Sequence, residues 1–166
     1  MEEKRISKDE YYLGIAEAVL RRATCFRRRF GAVIVSKNDE IMSTGYNGAP
    51  RGKEDCLQKG FCNKNRQHEQ AHSSYNTCMS VHAEMNAIIS TARRDMIDGT
   101  LYLVGKQYEE GKTVDTFPYV ENSNPCVICK RLIMNSGLKR VVTKGQDENG
   151  KIIINEIFVK DMTLED

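Results

Sequence analysis

One pattern of metal-binding residue types constrains this chain of 166 residues more than any other feature. The motif His82-Ala-Glu84 is followed downstream by the motif Pro125-Cys-Val-Ile-Cys129. One imidazole and two thiolates provide three zinc ligands and leave the fourth tetrahedral position open to water, which is typical of a catalytic rather than a structural zinc site. The pattern therefore predicts a catalytic zinc with His82, Cys126 and Cys129 as ligands and the Glu84 carboxylate beside it.

The spacing also predicts where these residues lie on helices. Positions i and i+2 of a helix point to nearly opposite sides, so His82 and Glu84 can share a site only at the start of a helix. Cys126 and Cys129 are three positions apart, so their sulfurs face the same way at the start of a second helix. Two helix N-termini would then converge on one metal, and their partial positive charge favours thiolate over thiol.

The bulk composition is that of an ordinary globular chain, with 40% apolar and 29% charged residues. A formal net charge of only +2 gives no basic surface for nucleic acid. No apolar run approaches the roughly 20 residues that cross a bilayer, and the first residues lack the apolar core of a signal peptide. We therefore expect a single domain over residues 1–166, a cytoplasmic location, and neither a membrane nor a nucleic-acid partner.

Apolar periodicity predicts the order helix, hairpin, long loop, helix, strand, helix, strand. The predicted helices cover 8–23, 82–94 and 126–136, and the predicted strands cover 31–35, 40–46, 100–104 and 139–143, with a last one beginning at 152–154. Ser7 is the expected N-cap of the first helix and Gly137 the expected C-cap of the last. Residues 53–80 are too polar to bury much area, and 105–124 are predicted as an extended loop, with a hairpin within it as the alternative. Strands that alternate with helices indicate an α/β fold with a mixed sheet covered on both faces.

Cysteines and histidines cluster in a way that favours a second metal site. The chain has six cysteines, and its three histidines are His68, His72 and His82, with Cys78 among them. In a reducing cytosol, cysteines mixed with histidines bind metal more often than they form disulfides. A metal would also stabilise the polar segment 53–80, because binding energy can serve as folding energy.

With these residues placed, the chain resembles the cytidine deaminase-like superfamily, and within it the deoxycytidylate (dCMP) deaminase branch. The pattern H-x-E…P-C-x-x-C is the signature of zinc-dependent nucleobase deaminases and identifies only the superfamily. The branch is indicated by Gly45-Tyr-Asn-Gly48 followed by Pro50-Arg-Gly52, with support from residues 22–34 and 81–88. The resemblance implies a cytidine deaminase-like, three-layer α/β/α sandwich around a mixed sheet of about five strands.

The resemblance also implies an activity, the hydrolytic deamination of dCMP to dUMP and ammonia, which supplies dUMP for thymidylate synthesis. Zinc would activate water, and Glu84 would take its proton and pass it to the ring nitrogen and the departing ammonia. Asn47 is implied to reach the sugar or the base, and the backbone N–H of Ala83 to contact the pyrimidine carbonyl. The cations for the monophosphate are sought among four arginines, with Arg28 and Arg51 retained as candidates beside Arg27 and Arg29.

Further properties carry over from the branch. A second, structural zinc is implied, with Cys25, Cys56 and His72 as ligands and either Cys78 or His68 as the fourth. A buried free thiol is the alternative for Cys25, and Cys62 has no assigned role. Many members of the branch are homohexamers that dCTP activates and dTTP inhibits, so we expect a homo-oligomer with these effectors. The segment 105–124 is longer than the branch pattern, so it could be a lid, an interface or a specificity element.

Other classes remain open at this point. A tRNA adenosine deaminase should be more basic, because phosphate contacts dominate affinity for RNA. A riboflavin-pathway deaminase usually carries a second, reductase domain, for which 166 residues leave no room. Guanine deamination and a non-catalytic zinc-binding module are the remaining alternatives. The variant Glu84→Gln separates the last of these from an enzyme, because only an enzyme would lose turnover.

Overall fold

The computed structural model describes residues 4–66 and 77–165. Six helices, five strands and a closing 3-10 turn follow one another along these residues. In order they are α1 (Lys8–Leu20), β1 (Arg28–Val35), β2 (Ile41–Tyr46), α2 (Cys56–Lys59), α3 (Asn63–Arg66), α4 (Ala83–Ile89), α5 (Arg93–Met96), β3 (Thr100–Gln107), α6 (Val127–Ser136), β4 (Arg140–Gln146), β5 (Ile152–Phe158) and the turn Val159–Asp161.

The five strands form one mixed sheet in the order β2-β1-β3-β4-β5. β1 pairs antiparallel with both β2 and β3, β4 runs parallel to β3, and β5 pairs antiparallel with β4. A parallel pair needs a crossover connection, and α6 lies on the crossover from β3 to β4. The expected mixed sheet of about five strands is confirmed.

Alternate side chains of β1 separate two apolar layers. Val33 and Val35 pack with α1 on one face of the sheet, while Ala32 and Ile34 pack with α4 and α6 on the other. Successive residues of a strand point to opposite faces, so this run of buried residues is covered on both sides. The three-layer α/β/α arrangement expected from the sequence is therefore confirmed.

A close backbone approach places α4 on β2. A Cβ atom at Gly45 would lie 2.2 Å from the carbonyl oxygen of Ala83 and 2.4 Å from the nitrogen of Ala87. Only glycine allows this approach. The Ser43 hydroxyl also donates to the Ala87 carbonyl oxygen at 2.7 Å. These contacts hold the first turn of α4, and with it Glu84, against the sheet.

Two predicted helices keep their caps, and two are shorter than predicted, since α1 ends at Leu20 rather than at residue 23. Ser7 caps α1 in a reciprocal capping box with Glu10, and Gly137 ends α6 in the left-handed conformation. The prediction of a helix over 82–94 was wrong at its end, because α4 stops at Ile89. The Ser90 hydroxyl donates to the Asn86 carbonyl oxygen at 2.6 Å, and such local bonds compete with helix propagation. A separate short helix, α5, follows.

Two segments predicted without regular structure are partly ordered. β3 extends to Gln107, and Lys106 forms an isolated bridge with Tyr119, so residues 105–107 are strand rather than loop. Within 53–80, α2 begins at a capping box between Asp55 and Gln58 that the sequence reading missed. In the described parts of the chain, none of the helices combines the length and the apolarity that crossing a bilayer requires.

Candidate active site

Three potential metal ligands meet where α4 and α6 begin. His82 is the N-cap of α4 and Cys126 is the N-cap of α6, both with extended backbone. The ligand atoms of His82, Cys126 and Cys129 lie within 4.8 Å of one another, and each sulfur lies 3.4 Å from the Nδ1 atom of His82. Zinc bonds of ~2.0 Å to nitrogen and ~2.3 Å to sulfur place tetrahedral N and S ligands about 3.5 Å apart. The donor set and its spacing therefore fit zinc.

Electrostatics favour a thiolate in this group. The hydrogen bond with Cys129 is the largest cause that lowers the pKa of the Cys126 thiol to about 3, and His82 adds to it against the cost of burial. The hydrogen bond with Cys126 in turn raises the pKa of His82 and that of Cys129. Neither N-cap residue makes a side-chain capping bond, so both helix N-termini direct their positive ends at the group.

Glu84 lies in the first turn of α4, next to the three ligands, and is only 5% exposed. Burial raises the pKa of its carboxyl group, while its own backbone N–H and the nearby His82 counteract that effect. A carboxyl group whose pKa lies above its usual value takes up a proton more readily than a free carboxylate does. Glu84 is therefore placed for general acid–base chemistry.

A cavity of about 160 Å³ opens in front of this group. Its lining combines an apolar floor, several cations and several amides. The lining residues are Phe30 and Ala83 from the floor, His82, Glu84 and Cys126 from the metal end, Arg27, Arg28 and Lys64 as cations, Asn47, Asn122 and Asn124 as amides, and Cys25, Cys78 and Ser80. Such a site offers partners to an aromatic ring, an anion and neutral polar groups together.

Some of the predicted substrate contacts line this cavity and one does not. Arg28, Asn47 and Ala83 line the cavity, whereas Arg51 is exposed and is not among the lining residues. The Asn47 amide is partly engaged, because Oδ1 accepts a hydrogen bond from the Phe30 N–H at 2.8 Å and Nδ2 donates to the Arg28 carbonyl at 2.9 Å. Among the residues that the structure describes, these bonds leave one N–H and one acceptor site of the amide for a ligand.

Two of the cations behave differently from expectation. Arg29 lies 5.7 Å and 5.3 Å from the ring centres of Tyr108 and Phe117, and its Nε atom donates to the Cys25 carbonyl at 3.2 Å. It is therefore a packing residue of the segment 105–124. Lys64 is 8% exposed and lines the cavity, although no periodic pattern or motif marks it in the sequence.

A family model described as "Cytidine and deoxycytidylate deaminase zinc-binding region" matches residues 6–144. The chain belongs to this family. It is 36% identical over 136 residues to a deoxycytidylate deaminase of Mycobacterium phage D29, which covers 81% of this chain and 91% of the phage protein. It is 29% identical over 138 residues to a deoxycytidylate deaminase of Schizosaccharomyces pombe, but spans only 37% of that protein's length.

The fold of this deaminase-family chain also has a solved counterpart. The apo dCMP deaminase of cyanophage S-TIM5 superposes with a TM-score of 0.56 at 21% identity, over 89% of each chain. At this level of identity the likeness concerns the architecture. It agrees with the five-stranded, helix-covered sheet described above.

Elsewhere in this deaminase-family chain, four cysteines line a second, smaller cavity: Cys25, Cys56, Cys62 and Cys78. Burial raises the pKa of the Cys25 thiol, and burial together with the neighbouring thiols raises the pKa of Cys56 to about 11. Cys62, which is 7% exposed, lines the same cavity although no role was predicted for it. Its position six residues after Cys56 was an available signal. Within residues 4–66 and 77–165, His82, Cys126 and Cys129 are the only group of three or more potential ligands whose ligand atoms lie within 4.8 Å of one another. The candidates His68 and His72 lie outside the described residues.

Proposed function

We propose that the protein is a zinc-dependent deaminase that hydrolyses dCMP to dUMP and ammonia, and so supplies dUMP for thymidylate synthesis. The observation that carries the proposal is the buried Glu84 carboxylate beside the group of His82, Cys126 and Cys129, at one end of a cavity lined by cations. The 36% identity to the deoxycytidylate deaminase of phage D29 supports dCMP as the substrate.

His82, Cys126 and Cys129 hold the catalytic zinc in this proposal. When bound, zinc supplies a water acidified for attack on the amine-bearing carbon of the pyrimidine. The Glu84 carboxylate takes one proton from the attacking water and delivers it to the ring nitrogen. It then takes the second proton, from the hydroxyl group added to the ring carbon, and delivers it to the departing amine, so that the carbonyl forms as the C–N bond breaks and ammonia leaves. One carboxyl group thereby acts first as a base and then as an acid.

Other residues orient the nucleotide. The Ala83 N–H, in the first turn of α4 where backbone donors have no intrahelical partner, contacts the pyrimidine carbonyl. Asn47 offers its remaining N–H and acceptor site to the nucleotide. The monophosphate lies against Arg28, with Arg27 and Lys64 on the same cavity lining. A role for Arg51 in binding substrate has no support from its position.

The substitution Glu84→Gln tests the mechanism, because glutamine keeps the shape of the side chain and cannot take up the proton. Turnover of dCMP should fall by at least about a hundredfold, while zinc content and thermal midpoint stay the same. Glu40→Gln, in the exposed turn between β1 and β2, is the matched control and should retain full activity. Full deamination by the Glu84→Gln protein would contradict the proposal.

We further propose a structural zinc at the second cavity. Cys25, Cys56 and His72 are the proposed ligands, and either Cys78 or His68 is the fourth. The support is the shared cavity of the four cysteines and the polar sequence around them, which a metal would stabilise. Thiols with raised pKa values in the absence of metal lose their protons when zinc binds.

At the level of the whole protein, residues 1–166 are proposed to form one deaminase domain, which works in the cytoplasm as a homohexamer. Its proposed effectors are dCTP as activator and dTTP as inhibitor, and its ligands are small nucleotides rather than nucleic acid or membrane. The family match over 6–144 and the pairing of β5 with β4 support a single domain. Light scattering coupled to size exclusion, with and without dCTP, measures the assembly directly.

A further inference from the structure

The segment that is longer than the branch pattern forms one wall of the catalytic cavity. Asn122 and Asn124 lie at its end, just before the Pro125-Cys126 pair, and both line the cavity that holds Glu84. We call residues 119–124 the wall segment. It could be a lid that moves or a fixed surface that contacts substrate, and its contacts decide between the two.

Backbone contacts fix the wall segment to the sheet. The Val120 N–H donates to the Gly105 carbonyl on β3 at 3.0 Å, and the Ser123 hydroxyl donates to the Lys144 carbonyl on β4 at 2.7 Å. A Cβ atom at Gly145 would lie 2.8 Å from the Val120 carbonyl oxygen and 2.9 Å from the Ser123 Oγ. The wall segment therefore packs directly on the strands, at a distance that glycine alone permits.

A buried ionic cluster holds the same segment from its other side. The Tyr119 hydroxyl donates to the Glu17 carboxylate at 2.8 Å, and the Nζ atoms of Lys106 and Lys144 lie 2.8 Å and 2.9 Å from that carboxylate. Lys106 is only 5% exposed. Anchors on β3, β4 and α1 make the wall segment a fixed surface rather than a lid.

The turn within the wall segment presents two amides to the cavity. Asn122 has the left-handed conformation (φ 52°), which asparagine adopts more readily than most residues. Its Oδ1 atom accepts a hydrogen bond from the Asn124 N–H at 3.2 Å. Within residues 4–66 and 77–165, no hydrogen bond engages the Nδ2 of Asn122 or the side-chain amide of Asn124. Both amides can therefore bind a ligand.

Charge indicates which part of a nucleotide these amides face. Glu121, Asp147 and Glu148 line a neighbouring depression together with Asn122 and Asn124. Their negative charge disfavours a phosphate beside Asn122 and Asn124, whereas Arg27, Arg28 and Lys64 on the cavity lining attract one. The base must lie at Glu84 for the chemistry to occur. The remaining part of a deoxynucleoside 5′-monophosphate is its sugar, whose single free hydroxyl is at the 3′ position.

We propose that Asn122 and Asn124 recognise the sugar 3′-hydroxyl of the substrate, so that the wall segment determines specificity at the sugar. The inference rests on the proposed function and adds a residue-level cause for sugar selection. An amide supplies both a donor and an acceptor, as a hydroxyl partner requires.

The test compares dCMP with 2′,3′-dideoxy-CMP, which lacks the 3′-hydroxyl, on the zinc-loaded full chain. The double variant Asn122→Gly/Asn124→Ala removes both amides, and glycine accepts the left-handed backbone at position 122. Its kcat/KM for dCMP should fall about tenfold, while its kcat/KM for the dideoxy nucleotide stays within about twofold of the unsubstituted protein. Asn38→Ala, in the exposed turn at the far end of β1, is the matched control and should change neither value.

The outcomes separate the inference from the proposed function. An equal fall on both nucleotides would show that the amides only maintain the turn, and no change on either would show that they touch no substrate; both results overturn the inference. Turnover of dCMP by the unsubstituted protein is the condition that the proposed function itself must meet. If that protein released no ammonia from dCMP, the proposed function would fail and the inference with it.

Discussion

At the scale of single residues, backbone direction decides which arginines reach the site. Arg28 and Arg29 are neighbours on β1, and successive strand residues point to opposite sides. Arg28 accordingly lines the cavity, while Arg29 stacks near Tyr108 and Phe117. The sequence alone could not choose between them, because the predicted strand began at residue 31 and left both arginines in a loop. It also could not show that Arg51 lies away from the cavity.

This difference gives a prediction for phosphate binding. Arg28→Ala should raise the KM for dCMP by at least about tenfold, because a hydrogen bond to a charged group contributes more than a neutral one. The KM for deoxycytidine, which has no phosphate, should change much less. Arg51→Ala is the control of the same charge change and should leave both values unaltered in steady-state assays of ammonia release. An equal rise of KM for both substrates would argue against a phosphate contact.

At the scale of elements, α1 and the segment 105–124 are joined by the cluster around Glu17. Burial raises the pKa of this carboxyl group, but hydrogen bonds from Lys106, Lys144 and Tyr119 outweigh it and bring the pKa to about 2. An unfolded glutamate has a pKa of about 4.3. The ionised cluster therefore stabilises the fold above that value, and its contribution is lost as the pH falls through about 2.

Glu17→Gln should lower the free energy of unfolding near pH 7 by about 2 kcal/mol, because it leaves the buried Lys106 without its carboxylate partner. The difference between the two proteins should shrink as the pH falls from about 4 toward 2, since the native carboxyl then loses its advantage over the unfolded one. Urea unfolding near pH 7 and at about pH 3.5 measures it, with the exposed Glu110→Gln as control. A difference independent of pH would refute an ionic origin.

Apolar periodicity predicts those elements whose apolar side chains are buried within the sheet or against it. The cores of β1, β3 and β4, the caps of α1 and α6, and the mixed sheet were predicted correctly. The end of α4 and the extension of β3 were not. A buried lysine such as Lys106 gives no apolar signal, because its burial depends on Glu17, which is distant in sequence. For the same reason, sequence spacing could predict that the zinc donors lie together, but it could not predict which residues form the cavity wall.

At the scale of the whole molecule, the catalytic cavity and the cavity proposed to hold a second zinc share part of their lining. Cys25, Arg27, Lys64 and Cys78 line both the catalytic cavity and the cysteine-lined cavity. A structural metal at the second centre would therefore also fix part of the substrate-binding surface. Such a metal would also supply the stabilisation that a polar segment with little apolar content needs.

The two centres predict the zinc content of the protein. Atomic absorption should find about two zinc ions per chain, falling to about one in Cys56→Ser and also in Cys126→Ser. The two variants should differ in activity, because Cys126→Ser removes a ligand of the catalytic metal while Cys56→Ser leaves that donor set intact. Cys56→Ser should instead lower the thermal midpoint. A single zinc ion in the unsubstituted protein would refute the second centre.

The central claim is that this chain deaminates dCMP, and the most direct test is the release of ammonia from a panel of nucleotides. The purified zinc-loaded protein is incubated with dCMP, deoxycytidine, CMP and dCTP, and with each of the first three in the presence of dCTP. The account predicts ammonia and the ultraviolet shift to uracil from dCMP above all others. No release from any of them, with a full complement of zinc, would contradict it.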